Sequence, residues 1–136
     1  MKGSMASGAS SLAKTLVDQF EDPLTFYREL IQNSIDAGSN RIDVSLGYEP
    51  GRPGRAVIRV EDDGEGMDEH VIDNYLLVLF SSTKENDFTK IGKFGIGFMS
   101  VFAPRPLIVR VHTAKKGESW RIDFPSYKRY EKYRVA

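Results

Sequence analysis

Residues 24–46, LTFYRELIQNSIDAGSNRIDVSL, change their periodicity once, at a glycine, and that change sets the fold class. From Pro23 or Leu24 to Ala37 the stretch has helical spacing, and Gly38 suits the left-handed residue that closes a helix C-terminus. RIDVSL then alternates Ile42, Val44 and Leu46 with polar residues, the period of a half-buried strand. Downstream, AVIRVED alternates Ile58, Val60 and Asp62, so the two strands predict a β-hairpin with EPGRPGR as a long loop.

Working outward, SSLAKTLVDQF from Ser10 or Ser11 spaces Leu12, Leu16, Val17 and Phe20 as a helix that Pro23 ends. MDEHVIDNYLLVL places Val71, Ile72, Tyr75, Leu76 and Leu79 on one helical face, with Asp68 as its cap. The polar SSTKENDFTK reads as a loop. A short helix through Met99 and Phe102 must stop before Pro104. LIVRVHT and SWRIDF flank the turn AKKGE as two further strands. Four strands in pairs and four helices predict an α+β domain, a largely antiparallel sheet with helices on one face.

At 136 residues the chain has room for one compact domain. Hydrophobic residues at 40% and charged residues at 28% exclude a disordered composition. Nineteen basic residues balance nineteen acidic ones, so no overall field draws the chain to nucleic acid or to an anionic membrane. The lack of cysteine excludes disulfides and thiolate chemistry and agrees with a reducing, cytoplasmic setting. No apolar run approaches the ~20 residues of a membrane helix. Residues 1–9, small and polar with a second methionine at Met5, read as an expression remnant and a disordered start, and residues 10–124 as the domain. Residues 125–136 read as a basic, tyrosine-containing tail or linker.

Three segments carry chemistry. In the second helix Glu29, Asn33 and Asp36 stand at i, i+4 and i+7, an arc of roughly 60°. Leu30, Ile31 and Ile35 are expected opposite, against the sheet. By itself the stripe also fits a solvated amphipathic face. Asp62 has strand parity with Ile58 and Val60, so its carboxylate leaves on the apolar side and needs a partner, such as a ligand amino group. Asp63-Gly64-Glu65-Gly66-Met67 follows, with glycines that let backbone approach a flat ligand and a methionine able to pack on its ring; an acidic turn is the bland alternative. Gly92, Gly95 and Gly97 precede a helix, where backbone N–H groups and the helix dipole favour an anion; a tight turn would use the same glycines. No Gly-Lys-Ser/Thr follows, so this is not a Walker loop.

Taken together, ELIQNSIDA, DDGEGM and IGKFGIGFMS resemble the N box and the two glycine boxes of the GHKL (Bergerat-fold) ATPase superfamily, in order and in spacing. The resemblance covers about Leu12 to Phe124. It looks most similar to the ninety-kilodalton heat-shock chaperone type, on Gly92 to Phe98 and on Ser82-Thr83-Lys84, with MutL-like proteins ranked lower on the second glycine string. It implies a two-layer α+β sandwich, cofactors ATP and Mg2+, and hydrolysis that drives a chaperone-like conformational switch. It makes Glu29 the general base and Asn33 the Mg2+ ligand, with Asp36 an indirect or water-mediated contact. Asp62 becomes the acceptor of the adenine amino group, while Gly66 and Met67 line the base. Lys84 approaches the phosphates, and Gly92 with the backbone of Gly95, Ile96, Gly97 and Phe98 holds them.

Departures from the family pattern are a short lid, SSTKENDFTK, and residues 125–136 that lack the family's Gly-Thr pair, so a truncated domain with weak hydrolysis of its own is expected. Expected partners are ATP and ADP, further domains of a longer chain, protein clients and a second copy of the chain, without membrane or nucleic acid. The alternatives are a non-hydrolysing kinase-type or regulatory module, which Glu29 argues against, and a DNA-linked ATPase of the gyrase or MutL kind. His70 and His112 stand alone, without companions at metal-ligand spacing. The tail SYKRYEKYRVA interleaves bases with tyrosines as nucleic-acid binders do, but reads first as a solvated helix or linker.

Overall fold

The computed structural model describes residues 2–7, 11–81 and 97–135. Its elements in chain order are β1 (Lys2–Ser7), α1 (Ser11–Asp18), α2 (Thr25–Asp36), β2 (Ile42–Glu49) and β3 (Arg52–Asp62). There follow α3 (Glu69–Val71), a π-helical turn (Ile72–Leu76), α4 (Val78–Ser81), a 3-10 turn (Met99–Phe102), β4 (Val109–Lys115), β5 (Glu118–Ser126) and β6 (Arg129–Val135). The fold is α+β, and every strand pairing among the described residues is antiparallel.

Two sheets replace the single one expected. A four-stranded sheet has the order β1-β6-β5-β4, and β2-β3 forms a separate hairpin. Both ends of the chain enter the larger sheet. Lys2–Ser7, read as a disordered start, pairs with β6, and residues 129–135, read as a solvated helix or linker, form that strand between β1 and β5. The strand is legible afterwards in its alternation, since Tyr130 and Lys132 are buried while Arg129 is exposed and Glu131 and Tyr133 are half-buried. Two of its tyrosines and one of its bases, Lys132, are engaged within the protein. Tyr130 lies in the aromatic core, and Arg121 covers the Tyr133 ring at 4.4 Å.

The loop of the β2-β3 hairpin is shorter than its composition suggested. Pro50 and Gly51, the latter at φ +77°, make the turn, and Glu49 pairs with Arg52. A bulge takes up Pro53–Arg55, because Tyr48 already pairs with Ala56. At the β4-β5 connection Lys116 and Gly117 both have positive φ, the condition for the tight turn that closes a two-residue hairpin.

Asp68 caps α3 as its position implied, accepting the Val71 N–H at 3.0 Å. Beyond it the helix widens, with Leu77 N–H donating to the Ile72 carbonyl at 2.8 Å, five residues back. That extra residue in the turn rotates the face: Ile72, Leu76 and Leu77 point inward, while Tyr75, expected inward, is exposed. The core against which they pack is aromatic. Phe124 on β5, fully buried, has ring centroids of Phe80, Phe98, Phe102 and Tyr130 between 5.0 and 6.3 Å away. Lys132 ties β6 to the helical layer through Glu69 at 2.9 Å and Asp73 at 2.7 Å.

Candidate functional site

α2 is the element from which the site is built. Its buried stripe is Phe26 and Ser34, with Leu30 packed against the core between them. Glu29 and Asn33 flank that stripe and are half-buried, whereas Asp36 is exposed and accepts a hydrogen bond from Gln32 at 2.9 Å. Ile35, expected against the sheet, is 54% exposed. At 3.6 residues per turn it stands about 160° from Asn33, so a helix that turns Asn33 toward the protein must turn Ile35 to solvent.

One half of the site joins α2 to the segment after β3. Asp62 lies opposite Ile42 on the same side as Val60 and Ile58, as strand parity required. It is exposed rather than buried, and protein groups already engage both oxygens: Ser34 Oγ donates to one at 2.5 Å and the Gly64 N–H to the other at 2.9 Å. The charge therefore keeps access to solvent or ligand while its direction is fixed by hydrogen bonds. Two more links hold the turn. Glu65 N–H donates to the Ala37 carbonyl at 3.0 Å, and Asp63 Oδ1 accepts from the Asn40 and Arg41 N–H groups at 2.7 and 2.9 Å. Those backbone donors, Arg41 first, hold the Asp63 carboxyl below the usual carboxylate range. Gly64 fits because a Cβ there would come within 2.7 Å of Ser39 Oγ and 2.8 Å of the Ala37 methyl. Gly66, at φ +70°, leads into Met67, whose side chain packs against the core.

The other half joins α2 to the end of the second glycine segment. A Cβ on Gly97 would lie 2.7 Å from Glu29 Oε2, so that backbone and the carboxylate face each other at the closest approach a glycine permits. Glu29 keeps 25% side-chain exposure, with Arg28 3.6 Å from its other oxygen, so water reaches it. Ser100, fully buried, donates to the Gly97 carbonyl at 2.6 Å, and the Phe98 ring is anchored in the aromatic core. Gly97 and Phe98 are thus held from behind while their backbone borders Glu29. Lys84, Gly92, Gly95 and Ile96 lie outside the described residues.

Among the described residues no cluster of three or more His, Cys, Asp or Glu could hold a metal ion. His70 and His112 are exposed. One amide oxygen, that of Asn33, beside Glu29 is a donor set suited to a cation whose other ligands are phosphate and water, as magnesium prefers. Bound there, Mg2+ would neutralise charge on the phosphates.

Ser34 and Thr113 went unrecognised in the sequence. Ser34 falls on the Phe26–Leu30 stripe, and a hydroxyl on a buried stripe needs an acceptor, which is Asp62. Thr113 shares the inward side of β4 with Val109 and Val111 and accepts the Met67 N–H at 2.8 Å.

The family model for histidine kinase-, DNA gyrase B-, and HSP90-like ATPases matches residues 26–134, a span that contains all but the first residue of α2, Asp62, the first glycine segment, Gly97 and all but the last residue of β6. Among curated proteins the chain is similar to the DNA mismatch repair protein MutL of Baumannia cicadellinicola subsp. Homalodisca coagulata, 32% identical over an alignment 107 residues long that covers 75% of this chain and 17% of that protein. MutL of Pseudomonas aeruginosa is 31% identical over 76% of this chain and 16% of its own length, and MutL of Yersinia pestis 30% over 74% and 16%. The matched region is therefore 16–17% of the length of these relatives. They are of the type ranked below the chaperone on the second glycine string, and these comparisons do not support that ranking. With α2, the turn after Asp62 and the Gly97 backbone arranged around Glu29 and Asp62, and with the family model running through all of them, the chain belongs to the histidine kinase-, DNA gyrase B-, and HSP90-like ATPases.

Proposed function

We propose that the protein binds ATP with Mg2+ between α2 and the two glycine segments, and that hydrolysis there drives a conformational switch. The observation that carries this is the double attachment of α2: Ser34 fixes Asp62 and Glu29 abuts Gly97, so a base-recognising carboxylate and a water-activating carboxylate are set by one rigid helix. Asp62 accepts the adenine amino group. Asn33 meets the cation, and the Gly97 and Phe98 backbone borders the phosphates together with Gly92, Gly95, Ile96 and Lys84. Glu29, exposed to water beside that backbone, takes the proton of the attacking water. Asp36, on the exposed face, acts through water.

Two variants test the assignment. Asp62→Asn replaces a charged acceptor by an amide that presents a donor to the adenine amino group, a loss of about 1.5–3 kcal/mol, so ATP binding should weaken at least about tenfold. Glu29→Ala should keep ATP affinity and lose turnover by ~10²–10⁴-fold. Unchanged affinity in the first or wild-type turnover in the second would remove the corresponding role, and the second result would favour a binding-only regulatory module.

For the setting of the switch, 30–32% identity to MutL over three quarters of the chain supports a DNA-linked ATPase. The chaperone-like reading rests on Ser82-Thr83-Lys84 and on Gly92 to Phe98. Stimulation of turnover by duplex DNA, and not by unfolded protein, would favour the former.

A further inference from the structure

β4 lies outside the nucleotide assignment, yet it presses on the first glycine segment at two points. Thr113 Oγ1 accepts the Met67 N–H at 2.8 Å, across 46 residues of sequence. Immediately beside it, Gly66 is so close to β4 that a Cβ would fall 2.0 Å from the Ala114 carbonyl oxygen and 3.3 Å from Thr113 Oγ1. The Gly66–Met67 peptide is therefore held in height by the Ala114 carbonyl and in orientation by the Thr113 hydroxyl.

Thr113 is itself rigidly placed. It pairs across the sheet with Trp120, which is 6% exposed and donates to Glu118 at 2.9 Å. The same Glu118 oxygen accepts the Glu69 N–H at 3.2 Å, so β5 grips the chain on the far side of Met67 as well. Asp62 is fixed from another direction, by Ser34 on α2. Asp62 and the Gly66–Met67 peptide are thus positioned by two different elements. Their separation depends on the Thr113 contact.

We infer that Thr113 is a positioning residue that sets the floor of the base pocket and so the preference for adenine over guanine nucleotides; this rests on the ATP-binding function proposed above. If the floor relaxes, the base tilts and its amino group draws away from Asp62. ATP, which uses that hydrogen bond, loses affinity. GTP, which has a carbonyl oxygen at that position, does not.

The test is amide NMR titration of the chain with ATP and separately with GTP, a readout that works for weak as well as tight binding, alongside thermal unfolding. Thr113→Val keeps the shape and removes the acceptor; it should raise the ATP dissociation constant roughly five- to tenfold and leave GTP within about twofold. Thr113→Ala carries the same expectation should the valine variant fold poorly. Thr113→Ser, which retains the hydroxyl, should restore the wild-type ATP to GTP ratio. A lowered melting temperature with an unchanged ratio would show a merely structural threonine and overturn the inference. Asp62→Asn separates the two levels. Loss of ATP affinity there with none in Thr113→Val refutes the role of Thr113 alone, whereas full affinity in Asp62→Asn refutes the base pocket and Thr113 with it.

Discussion

Gly97→Ala offers a sharp test of the site, because it should make the protein no less stable and much less active. The new methyl would sit 2.7 Å from Glu29 Oε2, where ordinary contact begins near 3.4 Å, so the carboxylate end must retreat by about 0.7 Å. That movement is cheap, since the atom in the way is the tip of a flexible, partly exposed side chain. Gly97 begins the helical segment that leads into Met99–Phe102, so alanine also restricts the unfolded chain at a compatible position, a gain of about 0.4–1 kcal/mol. Catalysis has no such tolerance. A displacement approaching 1 Å at a reacting group costs up to about 10²-fold, so turnover at saturating ATP should fall roughly 10- to 100-fold, or about 1.4–2.7 kcal/mol in the barrier. The measurements are steady-state ATP hydrolysis, ATP titration and urea unfolding of the wild type, Gly97→Ala, Glu29→Ala and the double variant. Because the proposed effect passes through Glu29, Gly97→Ala should cost nothing further once Glu29 is alanine. Wild-type turnover in Gly97→Ala, or an equal loss in the Glu29→Ala background, would refute the reasoning.

Two predictions concern stability. Lys132→Met should cost about 1–3 kcal/mol in urea unfolding, since it strands Glu69 and Asp73, whose half-exposed carboxylates retain water and so limit the loss, and gives up the ammonium over the Trp120 ring; Lys132→Ala should cost more by also removing a buried side chain's stem, and a neutral Met variant would show the ion pairs to be idle. Burial disfavours the Lys132 ammonium, but Asp73 and Glu69 outweigh it and its pKa is raised, so its contribution is full below the unfolded value of about 10.4 and is lost as alkaline pH passes the folded one. Asp68 behaves oppositely: the Val71 N–H, and beyond it Lys116, holds its carboxyl down, so its stabilisation is full above about pH 4 and disappears as pH falls through the folded value. Asp68→Asn should flatten that acid limb of the stability profile, and an unchanged slope would refute the cap's electrostatic share.

Local signals and strong motifs account for what the sequence determined by itself. The helix that stops at Gly38, the hairpin strands, the Asp68 cap and the break before Pro104 each depend on residues within one turn or one strand. The three motifs that identify the family are likewise short strings, and the family match runs through all of them. What the sequence did not disclose depends on partners distant along the chain. Residues 129–135 are basic and tyrosine-rich, a solvated composition, and become a central strand only because β1 and β5 supply hydrogen bonds and Glu69 and Asp73 neutralise Lys132. The π-helical turn that exposes Tyr75 arises in the packing of Ile72, Leu76 and Leu77, not in the spacing of apolar residues. Asp62 was legible as a carboxylate in need of a partner, but that Ser34 would be the partner, leaving the charge open to a ligand, required α2 to be laid against β3. Thr113 likewise had no local signal beyond a polar residue on an inward strand position. A hydrogen bond to a peptide 46 residues away is written by tertiary structure alone, because only the fold brings that donor within 2.8 Å.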